Sequence, residues 1–238
     1  MVENRIVSRQ EWLAARKQLL IHERGLTRLR DEINQQRREL PWVRVEKTYL
    51  FDGPESKITL GELFDGRSQL AVYHFMLAPE SDHICDGCAF LADHVDAARM
   101  HFEHNDLSFT AISRAPMERI AAVKERMEWR FQWVSSFHTD FNFDFGVSFT
   151  DEQIRNGQVE YNYGTTPYAA PDLPGVSVFY RNAAGHVFHT YSCYARGGDL
   201  LLGAYNWLDL TPQGRNENTM MDWVRLHDEY ERHSHCCH

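Results

Sequence analysis

Residues 70–100 read LAVYHFMLAPESDHICDGCAFLADHVDAARM. Leu70 to Leu77 is a mostly apolar run of strand length. Ala78-Pro79-Glu80-Ser81-Asp82 interrupts it with the residue types that favour loops. From Cys88 onward Phe90, Leu91, His94, Val95 and Ala98 recur at helical spacing. Cys85-Asp86-Gly87-Cys88 therefore stands where a strand hands over to a helix, the context of a thioredoxin-like dithiol.

Only a thiolate attacks a disulfide, and an ordinary cysteine is mostly protonated near neutral pH. The unpaired amides at a helix N-terminus favour the thiolate. Cys85, at the exposed end, is expected to attack. Cys88, one turn in, is expected to resolve the mixed disulfide by closing an intramolecular bond. Asp86 opposes ionisation of the pair, and a protonated His83 would favour it. A metal site is the alternative use of the same thiols. Zinc needs about four ligands, which Cys236, Cys237 and nearby histidines could supply; soft thiolates with a histidine would also suit copper.

The whole chain narrows the classes. It has 238 residues, 43% hydrophobic and 13% aromatic, enough for a sizeable core. The net charge of −9 argues against a nucleic-acid or anionic-membrane partner. No apolar run is long enough to span a bilayer, and the first residues lack the apolar core of a signal peptide. A cytoplasmic, reducing setting is expected, where the five cysteines are poor candidates for structural disulfides. No cofactor beyond the thiols is expected, and no metal is assigned.

Three parts are expected: a helical extension over 1–41, a thioredoxin-like domain over 42–210 with an insertion near 138–172, and a tail over 211–238. In the first, Ser8 and Glu11 fit a capping box, and Trp12, Leu19, Leu26, Ile33 and Leu40 recur every seven residues. Residues 8–40 hold eight Lys/Arg against five Asp/Glu, which leaves −12 on the remainder. A basic helix with one apolar seam is expected to lie along an acidic body or to build a homodimer. In the domain, 42–51 reads as extended, 107–115 as a second strand, and Pro116 opens a helix to about 127. FNFDFGVSF (141–149) alternates aromatic and polar residues, one apolar face if extended. The aromatic run 129–149 suits core packing, or a substrate-binding wall beside the thiols. Residues 151–171 read as a flap, 176–191 as a hairpin, and 199–208 as a last helix. Strand, dithiol helix, strand, helix, then hairpin and helix is the thioredoxin-like α/β order, and the short hairpin before the central strand is similar to the peroxiredoxin-like branch.

Two further residues are singled out. Pro174, just before the penultimate strand, holds the place of the cis-proline that presents backbone to a substrate; a cis bond before proline costs about 1 kcal/mol or less. His74 shares a face of the central strand with Leu70, Val72 and Met76, near where thioredoxins carry a buried acid. A histidine there could accept the Cys88 proton near neutral pH.

EWLAARKQLL (11–20), ELPWVRVEKTYLF (39–51), GRSQLAVYHFML (66–77), RFQWVSS (130–136), FNFDFGVSF, FHTYSCYARG (188–197) and YNWLDLTPQG (205–214) together resemble a bacterial thioredoxin-like family, domain of unknown function 899, described as predicted dithiol-disulfide oxidoreductases. The resemblance spans about 8–230. It implies a thioredoxin-like fold with CDGC at the redox position, and it implies no particular substrate. Ile84 replaces the usual tryptophan before the first cysteine, and Asp86-Gly87 replaces glycine-proline.

The leading expectation is thus a thiol–disulfide oxidoreductase acting on a disulfide-containing protein or small thiol substrate, reset by an unidentified reductase. A thiol peroxidase is the enzymatic alternative, but Pro79 and Cys85 are one residue too close for PxxxTxxC, and Asp82 or His83 holds the hydroxyl position. A metal-binding thioredoxin-fold protein without turnover is the other.

Overall fold

The structure is a computed structural model and describes residues 4–167 and 170–230. The chain divides into two compact units, 1–42 and 43–238.

The first unit is dominated by helix α1 (Arg9–Glu39). The expected capping box is present: the Ser8 hydroxyl accepts from the Glu11 N–H, and the Ser8 N–H donates to the Glu11 carboxylate. Arg37 and Arg38 occupy the last turn, where cations complement the free carbonyls. No residue of α1 is buried. Trp12, Leu19, Leu26, Ile33 and Leu40 are each at least 38% exposed, so nothing within the first unit covers the seven-residue seam.

The second unit is built on an eight-stranded sheet, ordered β1-β10-β9-β4-β5-β6-β2-β3. Strand β4 (Gln69–His74) lies at its middle. It pairs in parallel with β5 (Leu107–Ser113), which pairs in parallel with β6 (Gln132–Ser135). On its other side β4 pairs antiparallel with β9 (Gly175–Arg181), and β9 with β10 (Val187–Tyr194). Two parallel strands with a helical crossover followed by an antiparallel hairpin is the thioredoxin-like arrangement. The edges are short strands: β1 (Val43–Arg44) beside β10, and β2 (Leu50–Asp52) with β3 (Lys57–Thr59) beside β6. The stretch 42–51, expected as one extended segment, thus serves opposite edges of the sheet with its two ends.

Each sheet face has its own core, because side chains alternate along a strand. Tyr73, Phe75, Ala111 and Trp133 pack under α2 (Asp86–Ala92), α3 (Val95–His104), α4 (Met117–Arg126) and Tyr205. Leu70, Val72, Ile112, Val134 and Phe179 face Tyr49, Phe51, Leu63, Phe64 and Phe141. Two expectations need correction. Residues 141–144 form a helical turn, α5 (Phe141–Asp144), not a strand; Phe141 and Phe145 then fall on one side with ring centroids 4.6 Å apart, tilted by 40°, and the Phe145 N–H donates to the Phe141 carbonyl at 3.1 Å, a bond that an extended chain could not make. The aromatic run serves core packing, the first of its two expected uses: Trp129, Phe131, Trp133, Phe141 and Phe149 are buried. Residues 211–230 are no tail, since Val224 and Leu226 are buried and Trp223 packs edge-on to Phe90 at 5.7 Å. Arg126 bonds Asp228 and Glu229, and Asp93 accepts from both Trp129 and His227, which ties the segment down.

The insertion is a short helix, α6 (Asp151–Arg155), and a hairpin of β7 (Val159–Tyr161) and β8 (Gly164–Thr166). Its base is closed by backbone bonds Leu173 to Val147 and Phe149 to Pro171. The buried Asp172 receives the Arg114 guanidinium at 2.7 Å and the Ser148 hydroxyl. Replacing Asp172 by alanine strands the Arg114 charge. The expected loss is about 2 kcal/mol, below the ~3–5 kcal/mol of a fully buried pair because Arg114 still reaches water. It should appear as a lower urea midpoint of the full chain at unchanged slope; an unmoved midpoint would reduce this pair to a surface contact.

Candidate active site

Strand β4 delivers the chain to residues 75–84, and Cys85 then caps α2. The Cys85 sulfur accepts the Cys88 N–H at 3.3 Å, and its carbonyl accepts the Ala89 N–H at 2.9 Å. The cysteine therefore does the work that a serine or aspartate does at an N-cap. Its acidity follows from this position. The Cys88 thiol donates to Cys85, and the Cys88 and Gly87 amides donate as well, which together hold the Cys85 thiol below its ordinary value; burial and the Asp86 charge oppose them. Because α2 spans only seven residues, these specific bonds rather than a long macrodipole stabilise the thiolate.

Cys88 is the opposite case. It is 1% exposed, and burial pushes its thiol well above the ordinary value, with proximity to Cys85 adding to the shift. The Met76 N–H donates to its sulfur at 3.4 Å, and the Tyr73 hydroxyl bonds to it too. One thiol is set to ionise and its neighbour to stay protonated.

The sheet register explains what else is near. Tyr73 lies opposite Val176 on β9, and Val176 lies opposite Cys193 on β10. This row faces the dithiol and lines a cavity of about 250 Å³ with Cys85 and Cys88. Pro174 lines it too, but no peptide bond among the described residues is cis, so the Leu173–Pro174 bond is trans. The flap holds Pro174 instead: the Tyr161 hydroxyl donates to its carbonyl and accepts the Ala195 N–H at 3.0 Å. Gly175 permits the close approach of this backbone, since a Cβ there would lie 2.7 Å from the Tyr194 ring.

His74 is not where the expected proton acceptor would have to be. Alternation sends Tyr73 to the dithiol face and His74 to the other. There His74 is buried, stacked on Phe141 at 5.7 Å, with Nε2 bonded to Ser177 Oγ at 2.9 Å. Ser177 continues to Ser192 at 2.8 Å and Ser192 to His189 at 2.7 Å. Burial, with His189 nearby, lowers the His74 pKa to about 3, so the ring stays neutral near pH 7. His83 is exposed, and its backbone N–H donates to Ser81.

The sequence reading missed Tyr73, Tyr161, Cys193 and the segment carrying Met220 and Met221. The parity of Tyr73 was legible, because Phe75 and Leu77 share its face. The rest come from chain far from the CDGC stretch and carry no local signal. Among the described residues no group of three or more His, Cys, Asp or Glu side chains is arranged to hold a metal. Cys236 and Cys237 lie outside the described residues. No described helix is long and apolar enough to cross a membrane.

A family model described as "bacterial protein of unknown function (DUF899)" matches residues 1–230. The search of curated proteins gave no match. Among solved structures the chain is similar to peroxidoxin BcpB from Mycobacterium tuberculosis, at 14% identity and a TM-score of 0.45 over 69% of this chain and 94% of that one. It is also similar to a cysteine-to-serine mutant of Xanthomonas campestris peroxiredoxin Q, at 12% identity and a TM-score of 0.45 over 66% and 90%. A peroxiredoxin-like protein from Aquifex aeolicus scores 0.39 at 11% identity over 66% and 81%. No residue role is carried over from these three.

Proposed function

The chain belongs to the DUF899 family, and from that premise we propose that it is a thiol–disulfide oxidoreductase in which Cys85 attacks and Cys88 resolves. The observation that carries the reading is the unequal pair: a half-buried Cys85 whose thiolate collects hydrogen bonds, beside a buried Cys88 that keeps its proton. The Cys85 thiolate displaces one thiolate from a disulfide R–S–S–R′, giving Cys85–S–S–R and R′–S⁻. Cys88 then loses its proton to R′–S⁻ or water and attacks the Cys85 sulfur, expelling R–S⁻. The substrate gains two electrons, and Cys85–Cys88 becomes a disulfide that an external dithiol donor reduces again. Pro174 presents backbone beside the sulfurs for docking.

Alkylation tests the inequality. Because the Cys85 thiol ionises below the ordinary value of about 8.5, it is expected to react first at mildly acidic pH, with Cys88 unlabelled until the chain unfolds. Labelling of Cys85 and Cys88 at equal rates across this range would remove the proposal. Peroxide consumption by the reduced protein, measured beside disulfide reduction, separates a peroxidase.

The uncovered seam of α1 supports a homodimer, since stripes of this kind are normally covered and such dimers usually have two-fold symmetry. The full chain is expected at twice its 27.9 kDa mass in light scattering, and replacing Leu19 and Leu26 by glutamate should halve it. A monomer mass across concentration would refute the dimer.

A further inference from the structure

The cavity beside the dithiol has a predominantly apolar lining. Its walls are Leu91, Val176, Tyr194, Leu202, Met220 and Met221, all apolar or aromatic. At about 250 Å³ it sits just below the range of ~300–1,000 Å³ common for ligand pockets. Two charged residues also line it, Arg196 and Asp199, and both are already paired. Arg196 Nε meets Asp199 at 3.2 Å, and Arg215, itself bonded to Asp209 at 2.9 Å, meets Asp199 at 3.4 Å. No unpaired charge is left among these groups for an ionic substrate.

The roof is the segment that the sequence suggested as a tail. A Cβ on Gly87, between the two cysteines, would lie 3.0 Å from Met221 Sδ, so Met221 rests on the first turn of α2. Met221 holds a left-handed backbone with φ +61°, a conformation that costs an ordinary residue about 1 kcal/mol or more. The segment keeps it there: the Met221 N–H donates to Glu217 at 3.2 Å, and the Tyr205 hydroxyl donates to the same carboxylate oxygen. A pinned methionine over the CDGC turn narrows the approach by which a folded protein would lay a disulfide-bearing strand across Cys85.

We propose that the substrate of this site is a compact, uncharged, apolar disulfide of low molecular weight, bound in the cavity with one sulfur against Cys85. This rests on the oxidoreductase reading and specifies its substrate class. The exchange is the one written above, with R and R′ small and apolar, and the oxidised Cys85–Cys88 pair returned by an external dithiol.

The test uses the reduced full chain with two chromogenic aromatic disulfides and one protein: uncharged 4,4′-dithiodipyridine, dianionic 5,5′-dithiobis(2-nitrobenzoate), and insulin. Each rate is divided by that of the same chain unfolded, which removes intrinsic reactivity. The uncharged reagent is expected to be favoured by about tenfold or more over the dianion and over insulin, the factor for ~1.4 kcal/mol of selectivity. Asp199→Asn frees Arg196, while Arg215 keeps Asp209, and should raise the normalised rate of the dianion several-fold while leaving the uncharged reagent unchanged. Met221→Ala should raise the insulin rate several-fold. Equal normalised rates for the three, or no response of the dianion to Asp199→Asn, would overturn the pocket's selectivity and leave the dithiol reading standing. No exchange with any of the three would overturn both.

Discussion

Replacing Cys88 by serine is expected to leave a protein that attacks a disulfide once and cannot let go. The Cys85 thiolate would keep the Gly87 and position-88 amide donors, while the sulfur that attacks the mixed disulfide would be gone. Covalent adducts through Cys85 should therefore accumulate, one per chain, visible by mass spectrometry and released by dithiothreitol. Turnover should fall to background. Cys85→Ser should form no adduct, because the remaining Cys88 thiol is buried and held above its ordinary value. Its turnover should also fall to background, a loss of several orders of magnitude by analogy with removal of other nucleophiles, ~10⁴–10⁶. Adducts on Cys88 or Cys193 in Cys85→Ser would reverse the assigned roles. The acid limb should follow the Cys85 thiol: its value is lowered, so the thiolate persists below the pH at which a free thiol protonates, and attack is lost only as pH falls through the folded value.

Two neighbours on β4 should behave differently because they face opposite sides of the sheet. The Tyr73 hydroxyl bonds to Cys88, and burial raises its own pKa well above the ordinary value, so it serves as a donor and not a base. Tyr73→Phe removes a hydrogen bond that steadies the Cys88 thiolate as it forms. The resolving step should slow by about 10-fold or more, in line with ~1.5–3 kcal/mol for a bond to a charged group. The first attack should keep its rate. Stopped-flow tryptophan fluorescence of the two phases would separate them. His74→Ala should change neither phase, but it opens a hole between Phe141, Phe145 and Ser177 and should cost about 2–4 kcal/mol of stability. It should also alter acid sensitivity. His74 is lowered to about 3 in the fold from 6.5, so below pH 6.5 the unfolded chain binds a proton that the native chain refuses. Its contribution therefore destabilises progressively as pH falls from 6.5 toward 3, and His74→Ala should flatten that part of the curve. A slowed resolving phase in His74→Ala would restore His74 as the proton acceptor, and an unchanged one in Tyr73→Phe would remove the role given to Tyr73.

The difference between those two residues marks the boundary of what local sequence carries. The apolar run 70–77, the proline-bearing loop and the helical spacing after Cys88 placed CDGC at the N-terminus of α2, because strand and helix periodicities depend on neighbours a few residues apart. The same holds for α1, whose Ser8–Glu11 box and seven-residue seam are written within neighbouring turns. Strand alternation was equally legible, yet the face that meets the thiols depends on which side of the sheet α2 crosses. That is decided by packing Phe75 and Leu77 with Ala89, Phe90 and Leu91 in one core and Leu70 and Val72 with Phe141 in the other. Alternation alone could not choose between Tyr73 and His74.

FNFDF shows the same boundary from the other side. Its two-residue period suits a strand, but the Phe141–Asp144 turn puts Phe141 against His74, Phe51 and Phe179, and that burial outweighs a short stretch's propensity. Cys193 reaches the dithiol cavity only through the β4–β9–β10 register, and Met221 only because Trp223, Val224 and Leu226 dock the last segment. Contacts between residues more than a hundred positions apart leave no trace in local pattern. The sequence by itself determined the two thiols, their spacing and the strand–helix junction that holds them. The tertiary structure decided what surrounds them: a tyrosine rather than a histidine at the buried sulfur, a trans proline held by Tyr161, and a methionine roof over the turn. The first set rests on spacing along one chain segment; the second rests on which segments burial brings together.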